Sequence, residues 1–328
     1  MFKQLKLAAV AATVVAAAGI ANAAEFKPAI VFDMGGKFDK SFNEAAFNGA
    51  EEFKKGTGID YMEFEVTQVS QREQALKRMA KKGASIIVAM GFAQASAVEK
   101  AAKANPDTKF TIIDMVVDLP NVQSIIFKEH EGSFLVGMAA ALSSKTGKVG
   151  FVGGMDIPLI RKFALGYQEG AKYANSGTEV FQNMTGTTPA AWNDPTKGGE
   201  LARSQFDRGA DVVFAAAGGT GIGVYQAAKD SGKFAIGVDS NQNYMHPGTM
   251  LTSMTKRVDV AVKNAFATAK AGTWKPGISV LGLKEGGVGY AMDEHNKGVL
   301  SADVVAKIEK ARADIIAGTL KVTDYMTK

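Results

Sequence analysis

The chain has 328 residues, 46% apolar and 22% charged, with 36 glycines and no cysteine. It is longer than one hydrophobic core usually supports, since single cores stop growing near roughly 250–300 residues, and its ordinary composition excludes a disordered scaffold. The lack of cysteine excludes disulfides, thiolate metal sites and a cysteine nucleophile, and a formal charge of +5 is too small to point to a nucleic-acid partner.

The first element is a leader. Lys3 and Lys6 form a basic head, followed by the apolar run Leu7 to Ile20 and the small-residue triplet Ala21-Asn22-Ala23. These are the parts of a secretory signal peptide, and the run falls short of the roughly 20 residues that span a bilayer. Cleavage after Ala23 leaves 305 residues (328 minus 23) and lowers the charge from +5 to +3, because two lysines are lost. No cysteine follows the apolar run, so an unlipidated, soluble protein in the periplasm is expected.

Beyond the leader, strand and helix patterns alternate. Ala29 to Phe32 predicts a buried strand ending at Asp33 and the Gly35-Gly36 turn. Phe42, Ala45, Ala46, Ala50 and Phe53 then share one face of a helix that Gly56 would stop. Strands fit 61–66, 85–90, 110–113, 122–127, 148–152, 179–184, 211–216, 234–238, 249–254 and 279–283. Helices fit 71–82, 94–104, 131–143, 158–174, 196–208, 222–231, 257–271 and 301–317. Short apolar strands between such helices mean βαβ units and parallel sheets, and this many strands fit two sheets better than one.

Ligands of open parallel sheets sit outside the carboxyl ends of the strands. There the chain carries Asp33, Gly91-Phe92, Asp114, Gly153-Gly154, the loop around Trp192, Gly218 to Gly221, and Asp239. Carboxylates accept paired hydrogen bonds from vicinal hydroxyls, and aromatic faces stack on flat rings or sugar faces. A single Asp after a strand can equally be a helix cap, and a single Gly a turn. The set is less well explained that way, because caps need no aromatic companions.

Enzyme motifs fail on inspection. No G-x-G-x-x-G, phosphate-binding G-x-x-x-x-G-K-[ST], G-x-S-x-G or H-E-x-x-H occurs. Ser253 to Lys256 matches S-x-x-K and Lys145 to Gly147 matches K-T-G, but in the wrong order and without S-D-N. His130, His246 and His295 are widely separated, so no metal site, cofactor or catalytic residue is expected. The pairs Lys54-Lys55, Lys77-Arg78 and Lys81-Lys82 read as solvated helix faces.

The stretch Asp33-Met34-Gly35-Gly36-Lys37-Phe38-Asp39-Lys40-Ser41-Phe42-Asn43 resembles the opening signature of the basic membrane protein family. These are substrate-binding proteins of ABC importers, related to the purine nucleoside receptor of spirochaetes. Similar matches run through Met90-Gly91-Phe92, Ile113-Asp114, Gly153-Gly154, Arg161-Lys162-Phe163, Trp192 to Gly198, Ala217 to Gly221, Gly237-Val238-Asp239 and Lys284 to Gly289. The resemblance implies an α/β type I periplasmic-binding-protein fold, with two Rossmann-like lobes of parallel sheet. Three crossovers, near 127–131, 255–258 and 283–287, would join an N-terminal lobe (24–130 plus 257–284) to a C-terminal lobe (131–256 plus 285–328).

It further implies that Asp33 and Asp114 bind ribose and that Phe42, beside Asn43, stacks on a purine, with Trp192 across the base. Asp239 and Lys256 would complete the ribose contacts. Gly91, Phe92 and Gly219 are expected at the ligand, and Arg161 matches an arginine of related sugar-binding proteins. The implied function is capture of a purine nucleoside (adenosine, guanosine or inosine) by a monomer that serves an ABC permease in the inner membrane. Three carboxylates would repel phosphate, which favours nucleosides over nucleotides. A receptor for a pentose or other polyol is the alternative, and an exported hydrolase lacks a nucleophile–base pair. Two departures stand out: many relatives are lipoproteins, and Glu285 stands where some carry Asp.

Overall fold

The computed structural model describes residues 25–327, so the leader expected at 1–23 lies outside the described residues. Two six-stranded sheets organise the chain. The first holds β1 (Pro28–Phe32), β2 (Met62–Glu65), β3 (Ile86–Ala89), β4 (Lys109–Ile113), β5 (Val122–Phe127) and β11 (Gly277–Leu281). Their order is β11-β5-β4-β3-β1-β2, and every pairing is parallel. The second holds β6 (Lys148–Met155), β7 (Glu179–Gly186), β8 (Val212–Ala216), β9 (Phe234–Asp239), β10 (Met250–Lys256) and β12 (Val288–Tyr290). The order here is β12-β10-β9-β8-β6-β7, with only β12 antiparallel.

The apolar runs become strands because helices cover both faces. Every residue of β1, β3 and β8 is buried, as a parallel sheet requires. Helix α1 (Phe42–Thr57) packs on α8 (Val258–Lys270) over the first sheet. It ends two residues later than expected, with Gly58 rather than Gly56 in the left-handed cap at φ 72°. The short β12 was not expected; its three residues follow the glycines of Gly286-Gly287 and carry no strand-length apolar run.

The chain passes between the sheets three times, from Phe127 to Glu129, from Lys256 to Val258, and from Leu281 to Val288. Backbone bonds stitch these passages together: Lys128 N–H donates to Leu281 O at 3.0 Å and Arg257 N–H to Gly287 O at 2.8 Å. Beside them, α4 (Glu129–Ser143) lies almost wholly buried against α5 (Pro158–Ala174). Glycines allow that close approach: a Cβ on Gly137 would run into the Tyr167 carbonyl oxygen, and one on Gly170 into that of Phe134. Because these obstacles are backbone, Gly137→Ala should destabilise the protein by about 1–3 kcal/mol, as overpacking does. Urea unfolding checks this, and an unchanged midpoint would mean that α4 and α5 can part at little cost.

Candidate ligand-binding cleft

The carboxyl ends of β1, β3 and β4 face those of β8, β9 and β10 across a cavity between the two sheets, the usual place for a small-molecule site in such folds. Asp33, Phe42, Asn43, Gly91, Phe92 and Asp114 line it from the first lobe, and Trp192, Asp239 and Lys256 from the second. Phe163 and Ile160 of α5 line it too, although sequence reasoning gave them no role.

One end of the cavity is a cluster of buried charges. Lys256 Nζ lies 2.6 Å from Asp114 Oδ2 and 3.1 Å from Glu129 Oε1. Burial alone would lower the Lys256 pKa, but Asp114, Glu129 and Asp239 outweigh it and hold the ammonium above its ordinary range. Burial pushes the Asp114 and Asp239 carboxyls up, against the pull of Lys256. Both aspartates sit in the left-handed region, Asp114 at φ 70° and Asp239 at φ 62°. Such strain in non-glycine residues concentrates at functional sites. Asp239 Oδ2 accepts from Ser41 Oγ of the other lobe at 2.6 Å, whereas Asp114 Oδ1 is buried without a partner. The ring of Phe42 lies 5.2 Å from Lys256 Nζ, which places an aromatic wall beside the charges.

On the β1 side, Arg72 Nε and Nη2 grip Asp33 Oδ1 at 3.0 and 2.9 Å. Burial raises the Asp33 pKa in spite of that guanidinium. Asp33 Oδ2 lies beside Gly91, whose φ of +91° disfavours any side chain and where a Cβ would lie a tight 3.1 Å from that oxygen. The Trp192 ring lies on Gly154, where any Cβ would strike it. A Cβ on Gly35 of the first lobe would come 3.3 Å from Trp192 Cβ.

Some expected residues are placed differently. The face of α5 that buries Ile160 and Phe163 turns Arg161 outward, where it pairs with Asp156 at 2.7 Å, away from the cavity lining. Gly219 packs behind the lining, against Trp192 O and Asn193, and Gly218 takes the lining position. Asn43 lines the cavity, but its amide is spent on the turn. Its Oδ1 accepts from Asp33 N–H, and its Nδ2 donates to Asp33 O and Gly36 O, each at 3.3 Å.

Asp39, Arg72 and Glu129 were missed by sequence reasoning. The signal for Asp39 was its place just before a helix. It accepts backbone N–H groups of Ser41, Asn43 and Glu44 at 2.8, 3.0 and 3.1 Å and so caps α1. Among the described residues, no acidic or histidine cluster could hold a metal ion, and no helix is long and apolar enough to cross a membrane.

A family model for "ABC transporter substrate-binding protein PnrA-like" matches residues 26–325. The chain belongs to this family, Bmp. It is 34% identical over 323 residues to the "ABC transporter nucleoside-binding protein BmpA" of Lactococcus lactis subsp. cremoris, covering 91% of this chain and 89% of that one. It is also 34% identical to "Basic membrane protein A" of Borreliella burgdorferi, covering 88% of this chain and 86% of the relative. A solved ABC-transporter solute-binding protein from Aeropyrum pernix K1 superposes with a TM-score of 0.83 at 30% identity, covering 92% and 94% of the two chains. The Bmp chain described here therefore has the type I periplasmic-binding fold. It is a substrate-binding protein of an ABC transporter, which implies a solute ligand and a membrane permease.

Burial raises the Asp39 pKa to about 7, with the three backbone donors opposing it only in part. The native state therefore keeps its proton longer than the unfolded chain does. That stabilisation is complete below the unfolded value and is lost as pH rises from about 4 to about 7. Asp39→Asn should flatten this part of the stability curve. Urea unfolding of both proteins across that range checks the sign, and parallel curves would show that Asp39 stays ionised throughout.

Proposed function

We propose that this Bmp protein captures purine nucleosides in the periplasm and delivers them to an inner-membrane ABC permease. The observation that carries the reading is Asp114 Oδ1, a buried carboxylate oxygen without a partner at the cavity wall, beside Asp239 and Lys256. An ionised carboxylate can only accept, so it calls for a hydroxyl or N–H donor. Vicinal ribose hydroxyls supply one.

The rest of the cleft suits a flat ring. Phe42 and Trp192 line it from opposite lobes, and stacking a base on an aromatic contributes roughly 1–3 kcal/mol. Asp114 follows β4 and Asp33 follows β1, with β3 between them. Both carboxylates line the cavity from the first lobe, where either can accept from ribose hydroxyls. Counted together, Asp114, Glu129 and Asp239 against Lys256 and Lys162 leave one net negative charge, which repels phosphate. The relative named as nucleoside-binding supports the same choice.

Inosine, adenosine or guanosine should raise the melting temperature by several degrees at saturation, and their 5′-monophosphates much less. If ribose stabilises as well as the nucleosides do, the polyol reading replaces this one. We also propose that the mature protein begins near Ala24 and is unlipidated and monomeric. N-terminal sequencing of periplasmic protein should find that start, and an intact Met1 would refute it.

A further inference from the structure

Asp114, Lys256, Glu129, Lys162 and Asp324 form an unbroken line of alternating charge. Lys256 Nζ lies between Asp114 Oδ2 (2.6 Å) and Glu129 Oε1 (3.1 Å), and Lys162 Nζ between Glu129 Oε2 (3.0 Å) and Asp324 Oδ2 (3.5 Å). The first four side chains are sealed from solvent, and only Asp324, near the C-terminus, is 25% exposed. The line runs through two of the passages between lobes. Glu129 opens α4, Lys256 ends β10, and Lys162 Nζ also donates to Phe127 O at 2.7 Å.

At this depth an ammonium takes whatever acceptors it can reach. Lys256 has three N–H donors, yet it meets only one oxygen of Asp114 and leaves the other unpartnered. Glu129 supplies the competing pull by charge: its oxygens lie 3.1 Å from Lys256 Nζ and 3.0 Å from Lys162 Nζ, though neither makes an aligned hydrogen bond. It is fixed from behind by Lys162, and Lys256 and Lys162 together hold its pKa below the ordinary range in spite of burial. We propose that Glu129 and Lys162 are positioning residues: they divide Lys256 between two carboxylates, so that Asp114 Oδ1 stays free to accept a ligand hydroxyl. Neither side chain is among the cavity-lining residues. The C-terminal segment belongs to the same device, because Asp324 steadies Lys162 and Thr323 N–H donates to Glu169 Oε2 of α5 at 2.9 Å.

This inference rests on the nucleoside reading and is tested by calorimetric titration with inosine and 2′,3′-dideoxyinosine. In Glu129→Gln, Lys256 turns wholly to Asp114. Inosine affinity should fall about tenfold or more, the worth of a hydrogen bond to a charged group, while the dideoxy analogue loses less than about threefold. Glu129→Asp should recover part of the loss. Asp324→Asn loosens Lys162 from the solvent side, where folding is least at risk, and should show the same selective pattern at about two- to fivefold. A wild type that binds inosine, with variants that weaken both ligands equally or neither, overturns the positioning role and leaves the nucleoside reading standing. A wild type indifferent to inosine overturns both.

Discussion

Lys256 is 2% exposed, and an ammonium removed from water to that degree is tolerated only where carboxylates surround it. Asp114 and Glu129 touch it, and Asp239 is near enough to raise its pKa. These groups come from the end of β4, the start of α4 and the end of β9, so the charge can be compensated only where two sheets present their carboxyl ends to each other. Asp114 and Asp239, the two aspartates at these strand ends, both adopt left-handed backbone. Charge, strain and sheet direction here are one arrangement. Each strained aspartate persists because the packing around it leaves no alternative.

Much of this was legible in the sequence wherever the cause is local. A strand buried on both faces is an apolar run, so β1, β3 and β8 could be read to within a residue or two. The strand-end rule then found Asp33, Asp114 and Asp239 without knowledge of any partner. Lys256 entered only through the family resemblance, since no local pattern separates a buried lysine ending a strand from an exposed one. Arg72 was invisible for a related reason. It lies 39 residues from Asp33, on a helix whose other basic residues, Lys77, Arg78 and Lys81, are exposed. Glu129 looked like an ordinary first-turn acid, and only the fold brings Lys162 and Lys256 to either side of it.

The misplacements are equally physical. Arg161 and Lys162 are neighbours, and a helix gives adjacent residues directions roughly 100° apart, so one pairs with Asp156 at the surface while the other enters the core. Gly218 and Gly219 differ in the same way, by one position in a tight turn. Asn43 shows that lining a cavity does not mean being free to bind. Its amide organises the loop that carries Asp33, and it could not donate to a ligand without releasing that loop.

The contacts between lobes bear on how a ligand could close the cleft. Ser240 Oγ donates to Ser41 O at 3.0 Å, Gln242 Nε2 to Lys40 O at 2.9 Å, and Ser41 Oγ to Asp239 Oδ2 at 2.6 Å. All three join the start of α1 to the end of β9, in the segment where Lys40 adopts a left-handed φ of 62°. A ligand shifts the balance toward closure only by its difference in affinity for the two arrangements. Residues that bond to each other across the cleft reduce the difference it must supply, and they do so without selecting one ligand over another. Selectivity must then come from groups that the cross-lobe bonds leave unsatisfied. Asp114 Oδ1 is such a group, buried at the cavity wall without a partner.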